Sequence, residues 1–225
     1  MKYLPLVTCE HAGNTIPGRY RKYFDGSDTL LKSHRGYDIG ALGAAKALAR
    51  ALKCPLHFTS VSRILVDCNR SLLSRSLFGE EVRHLTLVEK EELLARHYHT
   101  YRNTIEEEIG KLITPGKAVL HLSVHSFTPE LNEAVRNADI GLLYDPARKL
   151  ESEFCRELKK TLERVAPELR VCMNYPYRGT SDGLTTHLRK RFHGNEYLGI
   201  ELEINQGLLA KRGRDTVDIV RRALV

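Results

Sequence analysis

Histidines, carboxylates and arginines crowd into five short segments of this 225-residue chain. Four of them lie where predicted strands stop: Cys9-Glu10-His11-Ala12-Gly13-Asn14, Asp67-Cys68-Asn69-Arg70-Ser71, His121 through Phe127, and Gly199 through Gln206. The fifth, His34-Arg35-Gly36-Tyr37-Asp38-Ile39-Gly40, lies in a loop entering a helix. Neutral imidazoles together with carboxylates are the ligand set of a catalytic zinc ion, which keeps one position open for water. Such an ion acidifies that water and polarises a carbonyl, while a nearby carboxylate takes and later returns a proton. No single segment is a specific motif. Their shared position at strand ends is what points to hydrolytic chemistry.

Alternation along two of these strands decides which side chains share a face. From Val119 to His125 a period of two sets Val119, His121, Ser123 and His125 on one side and Leu120, Leu122 and Val124 on the other. His121 is then either a hydrogen-bonded core histidine or a catalytic group. In the same way Glu201 and Glu203 share one side, opposite Ile200, Leu202 and Ile204. Two carboxylates on a buried face are costly unless a cation, hydrogen bonds or protonation compensates. The alternative is an edge strand with one solvated face.

The elements that must hold these residues alternate between strand and helix. Strands are expected over 3–8, 56–60, 64–67, 118–124, 140–144, 169–173 and 198–204. Helices are expected over 37–52, 87–112, 150–165 and 216–224. In the longest, Leu94, Tyr98, Tyr101, Ile105, Ile109 and Leu112 recur every three or four residues. Strands joined by helical crossovers imply an α/β domain with a mixed or largely parallel sheet and helices on both faces. In such sheets ligands bind beyond the carboxyl ends of strands, where the polar segments lie.

Bulk properties narrow the classes. With 42% hydrophobic residues and no linker or repeat, residues 1–225 read as one domain. A net charge of +7 favours an anionic partner, although 28 acidic residues are interspersed with 35 basic ones. Five cysteines without regular spacing argue against a disulfide framework or a cysteine-built zinc site, and so for a cytoplasmic protein with reduced thiols. The apolar start, Met1 to Thr8, reads as a strand and not a signal peptide, and no apolar run is long enough to span a membrane. Lys211-Arg212-Gly213-Arg214 and Arg221-Arg222 permit a nucleic-acid-binding patch, but without interleaved aromatics or a known binding signature a solvated helix face is the better reading.

Seven stretches resemble, in order and spacing, the N-formylglutamate amidohydrolase family: 9–17 (CEHAGNTIP), 34–41 (HRGYDIGA), 66–71 (VDCNRS), 123–127 (SVHSF), 139–146 (DIGLLYDP), 174–179 (NYPYRG) and 199–206 (GIELEINQ). The likeness runs over nearly the whole chain. A more distant one, to zinc carboxypeptidases, lies in a His-Ser-Phe ligand strand, an Asn-Arg pair and an Ile-Glu-Leu segment. These resemblances imply a zinc-carboxypeptidase-like fold and one divalent metal, zinc by analogy, held by His11, His125 and a carboxylate. They imply substrate contacts by Asn69 and Arg70, with Arg70 also stabilising the oxyanion, and a general base at Glu201. The first ligand segment departs from the carboxypeptidase pattern, because Asn14 stands where a glutamate ligand is expected. Asp38, beside His34 and Arg35 at the head of a helix, is the choice for the third ligand, with Glu10 the rival; Asp38 could equally be a first-turn carboxylate. His34 and Arg35 either face the site or lie on the surface. The substrate implied is a small anionic N-acyl amino acid, its carboxylates met by Arg70, Arg136 or Arg178. A carboxypeptidase or a peptidoglycan amidase would use the same machinery.

Overall fold

A computed structural model describes residues 2–224. Six strands form one sheet in the order β2-β1-β3-β8-β6-β7. They are β1 (Lys2–Cys9), β2 (Leu56–Phe58), β3 (Lys117–Phe127), β6 (Ile140–Leu143), β7 (Val171–Met173) and β8 (Tyr197–Asn205). The first four in sheet order run parallel; β6 pairs antiparallel with β8 and parallel with β7. The sheet is therefore mixed. A separate two-stranded hairpin joins β4 (Glu130–Leu131) to β5 (Ala134–Val135).

Two hydrophobic clusters cover the sheet, and alternation assigns each strand residue to one of them. Val7, Leu120, Leu122, Val124, Ile200, Leu202 and Ile204 face α2 (Ala41–Leu52), α5 (Lys149–Val165) and α7 (Gln206–Leu224). Leu6, Val119 and Tyr197 face α3 (Leu87–Leu93), α4 (Thr100–Leu112) and α6 (Leu184–Arg191). A short α1 (Asp28–Leu31) packs Leu31 into this second cluster. Toward the carboxyl ends the second face turns polar, carrying His121, Ser123 and His125 on β3 and Glu201 and Glu203 on β8. Both strands are central in the sheet, so the reading of an edge strand with a solvated face does not hold.

The expected 87–112 helix is continuous but not uniform. A capping box at Thr86 and Glu89 starts α3, and a π-helical stretch, Leu94–His99, joins α3 to α4. There the Thr100 hydroxyl donates to the carbonyl of Ala95, five residues back, at 2.9 Å. Three expectations need correction. Residues 64–67 form no strand: Leu65 and Val66 donate to the Ser62 carbonyl and Asp67 to that of Leu77, so this buried apolar run is a compact turn. Periodicity alone cannot separate the two cases in so short a run. The helix expected from Tyr37 begins at Ala41, after Gly40 at φ 84°, so Asp38 sits in the preceding turn and not in a helix. The last helix starts at Gln206, with a kink at Arg212, and not at Thr216.

Among the described residues, no helix is long and apolar enough to cross a membrane. In the basic C-terminal patch Arg212 pairs with Glu168 at 3.1 Å, and Arg221 and Arg222 share Asp218.

Candidate metal centre and active site

The register of three parallel strands assembles the centre. His121 on β3 lies beside Leu6 on β1, Ser123 pairs with Glu201 of β8, and His125 pairs with Glu203. The turn after β1 brings in Glu10 and His11, and the Asp38 amide donates to the His11 carbonyl at 2.9 Å. Three side chains from distant stretches of chain, His11, Asp38 and His125, thereby offer one donor atom each, all within 4.8 Å of one another.

Both imidazoles turn the same nitrogen inward. Nδ1 of His11 and of His125 lie 3.3 and 2.8 Å from Asp38 Oδ2. Both outer nitrogens meet buried carboxylates: His11 Nε2 lies 2.8 Å from Asp67 Oδ1, and His125 Nε2 lies 3.1 Å from Glu10 Oε2. Backing a ligating histidine with a carboxylate fixes its ring and raises its basicity, as is common at metal sites. Glu10 is held in turn by Ser123, whose hydroxyl donates at 2.5 Å, and by Tyr101, at 2.9 Å. Asp67 accepts from the Arg63 guanidinium at 2.9 and 3.2 Å, and Arg63 also reaches Asp38 at 3.5 Å.

This donor set fits a divalent cation. Two nitrogens and a carboxylate oxygen converge in a buried site, a donor set of the kind that catalytic metal ions take from protein. Glu10 is not the converging carboxylate; it stands behind His125. Burial alone would push the carboxyls of Glu10, Asp38 and Asp67 up, yet each lies well below the usual range: the imidazoles outweigh it at Glu10 and Asp38, and Arg63, followed by His11, at Asp67. Conversely, burial would lower the two imidazoles, but their carboxylate neighbours raise both, His125 strongly. Glu203 differs. Burial, with Asp38 and Glu201 adding repulsion against the attraction of His125, raises its carboxyl to about 7, and its Oε2 has no hydrogen-bond partner. Glu201 is tied down by the Thr185 hydroxyl at 2.6 Å. Gly141 pairs with Glu203 across β6, and a Cβ there would meet the Tyr175 carbonyl oxygen at 2.2 Å, so only glycine lets that loop cross the strand.

His121 proves to be a core histidine. It is fully buried, with Nε2 2.8 Å from the Thr8 hydroxyl and Nδ1 2.7 Å from that of Tyr197, and burial depresses it to about 4. Unfolded, it titrates near 6.5, so between these values the unfolded chain binds the extra proton and stability falls as pH drops. The span corresponds to up to about 3 kcal/mol. Urea unfolding of the wild type and of His121→Asn should therefore give a stability gap that is widest at pH 7 and narrows at pH 5; a constant gap would contradict a neutral His121.

The remaining expected residues divide between two adjoining cavities. An inner pocket of about 190 Å³ is lined by the three converging residues, both glutamates, Asn69, Arg70 and Arg178. Asn69 is buried; its Oδ1 accepts from the Leu184 amide at 2.7 Å and its Nδ2 lies 3.5 Å from His125 Nε2. Arg70 donates to the Asp182 carbonyl at 2.7 Å. Arg136 lines only the outer cavity, stacked 5.1 Å from the Tyr177 ring centre and donating to its hydroxyl at 3.0 Å. His34 and Arg35 line the outer cavity as well. Arg63 and the part played by Asp67 had escaped the sequence reading. The one local sign was their i,i+4 spacing, which means little outside a helix.

A family model for N-formylglutamate amidohydrolase matches residues 5–210. The chain belongs to this family. Among solved structures, it is similar to a gene product, Atu2144, from Agrobacterium tumefaciens, with a TM-score of 0.80 and 28% identity over 99% of this chain and 91% of that one. An N-formylglutamate amidohydrolase from Ralstonia eutropha JMP134 aligns with a TM-score of 0.65 and 19% identity, over 100% of this chain and 93% of that one. At that identity the likeness speaks for the shared fold. No curated protein matches the sequence.

Proposed function

We propose that this amidohydrolase family member cleaves the amide bond of a small N-acyl amino acid, of the N-formylglutamate kind, at a centre holding one divalent metal ion, zinc by the chemistry of its donors. The observation that carries this reading is the convergence of His11, Asp38 and His125 beside an unpartnered carboxylate oxygen of Glu203. When bound, such an ion supplies a Lewis acid that polarises a carbonyl and makes water more acidic.

The chain's own groups do the rest. Glu203, held beside His125 with its Oε2 unpartnered, is placed to take a proton from water and pass it to the departing amine nitrogen. Residue resemblance gives this task to Glu201, but its bond to Thr185 makes it the less available of the two. Arg70, anchored through one nitrogen, has donors left for the carbonyl oxygen as charge builds there. Asn69 turns Nδ2 toward the same space, and Arg136 and Arg178 are the guanidinium partners for the substrate's carboxylates. Five unpaired cysteines suit a reducing, cytoplasmic setting.

Purified protein loaded with zinc is expected to release formate and glutamate from N-formylglutamate, to stop on chelation and to recover when the metal is restored. Cleavage of unblocked peptides or muropeptides in preference to N-formylglutamate would instead assign the site to a carboxypeptidase or a peptidoglycan amidase.

A further inference from the structure

The outer cavity, about 410 Å³, shares Asp38, Arg63, Arg70, Ser126 and Tyr177 with the inner pocket, so the two adjoin. By itself it falls within the range of about 300–1,000 Å³ usual for pockets that enclose a drug-sized ligand. A single small amino acid with its reacting carbonyl beside His11 and His125 leaves most of that space unfilled. Its charge is also in excess. Arg63 is committed to Asp67 and Asp38, but Arg35, Arg70, Arg83 and Arg136 have no carboxylate partner among the described residues. Only Glu80 and Glu81 on the same wall offset them, while the acids of the centre are met by Arg63 and the imidazoles. Arg35 comes from the loop before α2 and Arg83 from the turn after the 3₁₀ segment Glu80–Val82, so two separate stretches present unpaired guanidiniums to one cavity.

We infer that the substrate extends beyond one amino acid: an N-acyl peptide whose second residue carries carboxylates, seated in the outer cavity against Arg35 and Arg83. This rests on the amidohydrolase reading above. The bond broken is still the acyl amide. Water adds its oxygen to the acyl carbon, the C–N bond breaks, and the nitrogen takes the proton, so N-formylglutamylglutamate and water yield formate and glutamylglutamate.

The test compares zinc-loaded wild type with the Arg35→Gln/Arg83→Gln double variant on N-formylglutamate, N-formylglutamylglutamate and N-formylglutamylalanine, and titrates glutamylglutamate and glutamate calorimetrically into both proteins. Wild type should favour the acidic dipeptide in kcat/KM by about tenfold or more, the worth of one or two charge-assisted hydrogen bonds. The double variant, altered only at exposed side chains, should lose that advantage and keep its rate on N-formylglutamate. Glutamylglutamate should bind wild type more tightly than glutamate, and the variant should not discriminate. A preference of wild type for N-formylglutamate, or an advantage shared by the alanine dipeptide, would overturn the inference while leaving the amidohydrolase reading intact. Absence of formate from all three substrates would overturn the catalytic reading, and the calorimetric arm would still decide whether the arginines recognise a second acidic residue.

Discussion

Glu203→Gln is expected to lower kcat by about 10²- to 10⁴-fold, the usual worth of a positioned acid–base group, with zinc content unchanged. The substitution keeps the shape of the side chain and removes its ability to carry a proton. β8 holds Glu203 next to His125, and no donor occupies its Oε2. The carboxyl also carries a stability signature. Because burial raises it to about 7 from 4.5, its contribution in the metal-free protein is fully present below about 4.5 and is lost as pH rises through 7. The loss reaches about 3 kcal/mol. Chelated Glu203→Gln should thus melt no lower than chelated wild type at pH 8, which separates lost chemistry from lost folding. Glu201→Gln removes an acceptor from Thr185 and should cost less in kcat. The reverse order, with Glu201→Gln the more damaging, would return the proton-carrying role to Glu201.

That the two glutamates had to be told apart in three dimensions illustrates what the sequence could carry. Period-two alternation was enough to put His125 with Ser123, and Glu201 with Glu203, on single strand faces, because side-chain direction in a strand is a local property. The register between β3 and β8 is not local. It decides which glutamate meets His125, and neither strand encodes it alone. Glu10 and His11 make the same point. Adjacent in sequence, they serve different partners: Glu10 backs the His125 ring while His11 is backed by Asp67, 56 residues away. Residues 64–67 read as a strand because an apolar run of that length looks alike in a buried turn. That turn is what presents Arg63 and Asp67 together to the centre. Asp38 was legible as a candidate carboxylate, but not the element that positions it: it sits in the turn before α2, anchored on the His11 carbonyl, and not at the head of the helix.

His125→Ala is expected to abolish stoichiometric zinc binding and, with it, turnover. The ring supplies one of three converging donors and fills the gap between two buried carboxylates, Asp38 on one side and Glu10 on the other. Removing it leaves Glu10 without its principal partner in low dielectric and Asp38 with only His11 and Arg63 as charged partners, a change that costs about 3–5 kcal/mol in comparable buried pairs. A drop in Tm in chelator should therefore accompany the loss of metal. Glu10→Gln isolates the supporting role: it keeps all three donors, and zinc affinity should fall by about 10- to 100-fold without vanishing. The two effects share a pH dependence. In the metal-free protein the carboxylates hold protons on His11 and His125 above their ordinary range, and those protons must leave before nitrogen can ligate. Zinc uptake should accordingly release protons and tighten as pH rises, measurable by calorimetry in buffers of different ionisation enthalpy. His125→Ala protein that remains folded by circular dichroism and still binds one zinc ion as tightly as wild type would remove His125 from the ligand set, and His11 and Asp38 alone would be too few donors to fix an ion in place.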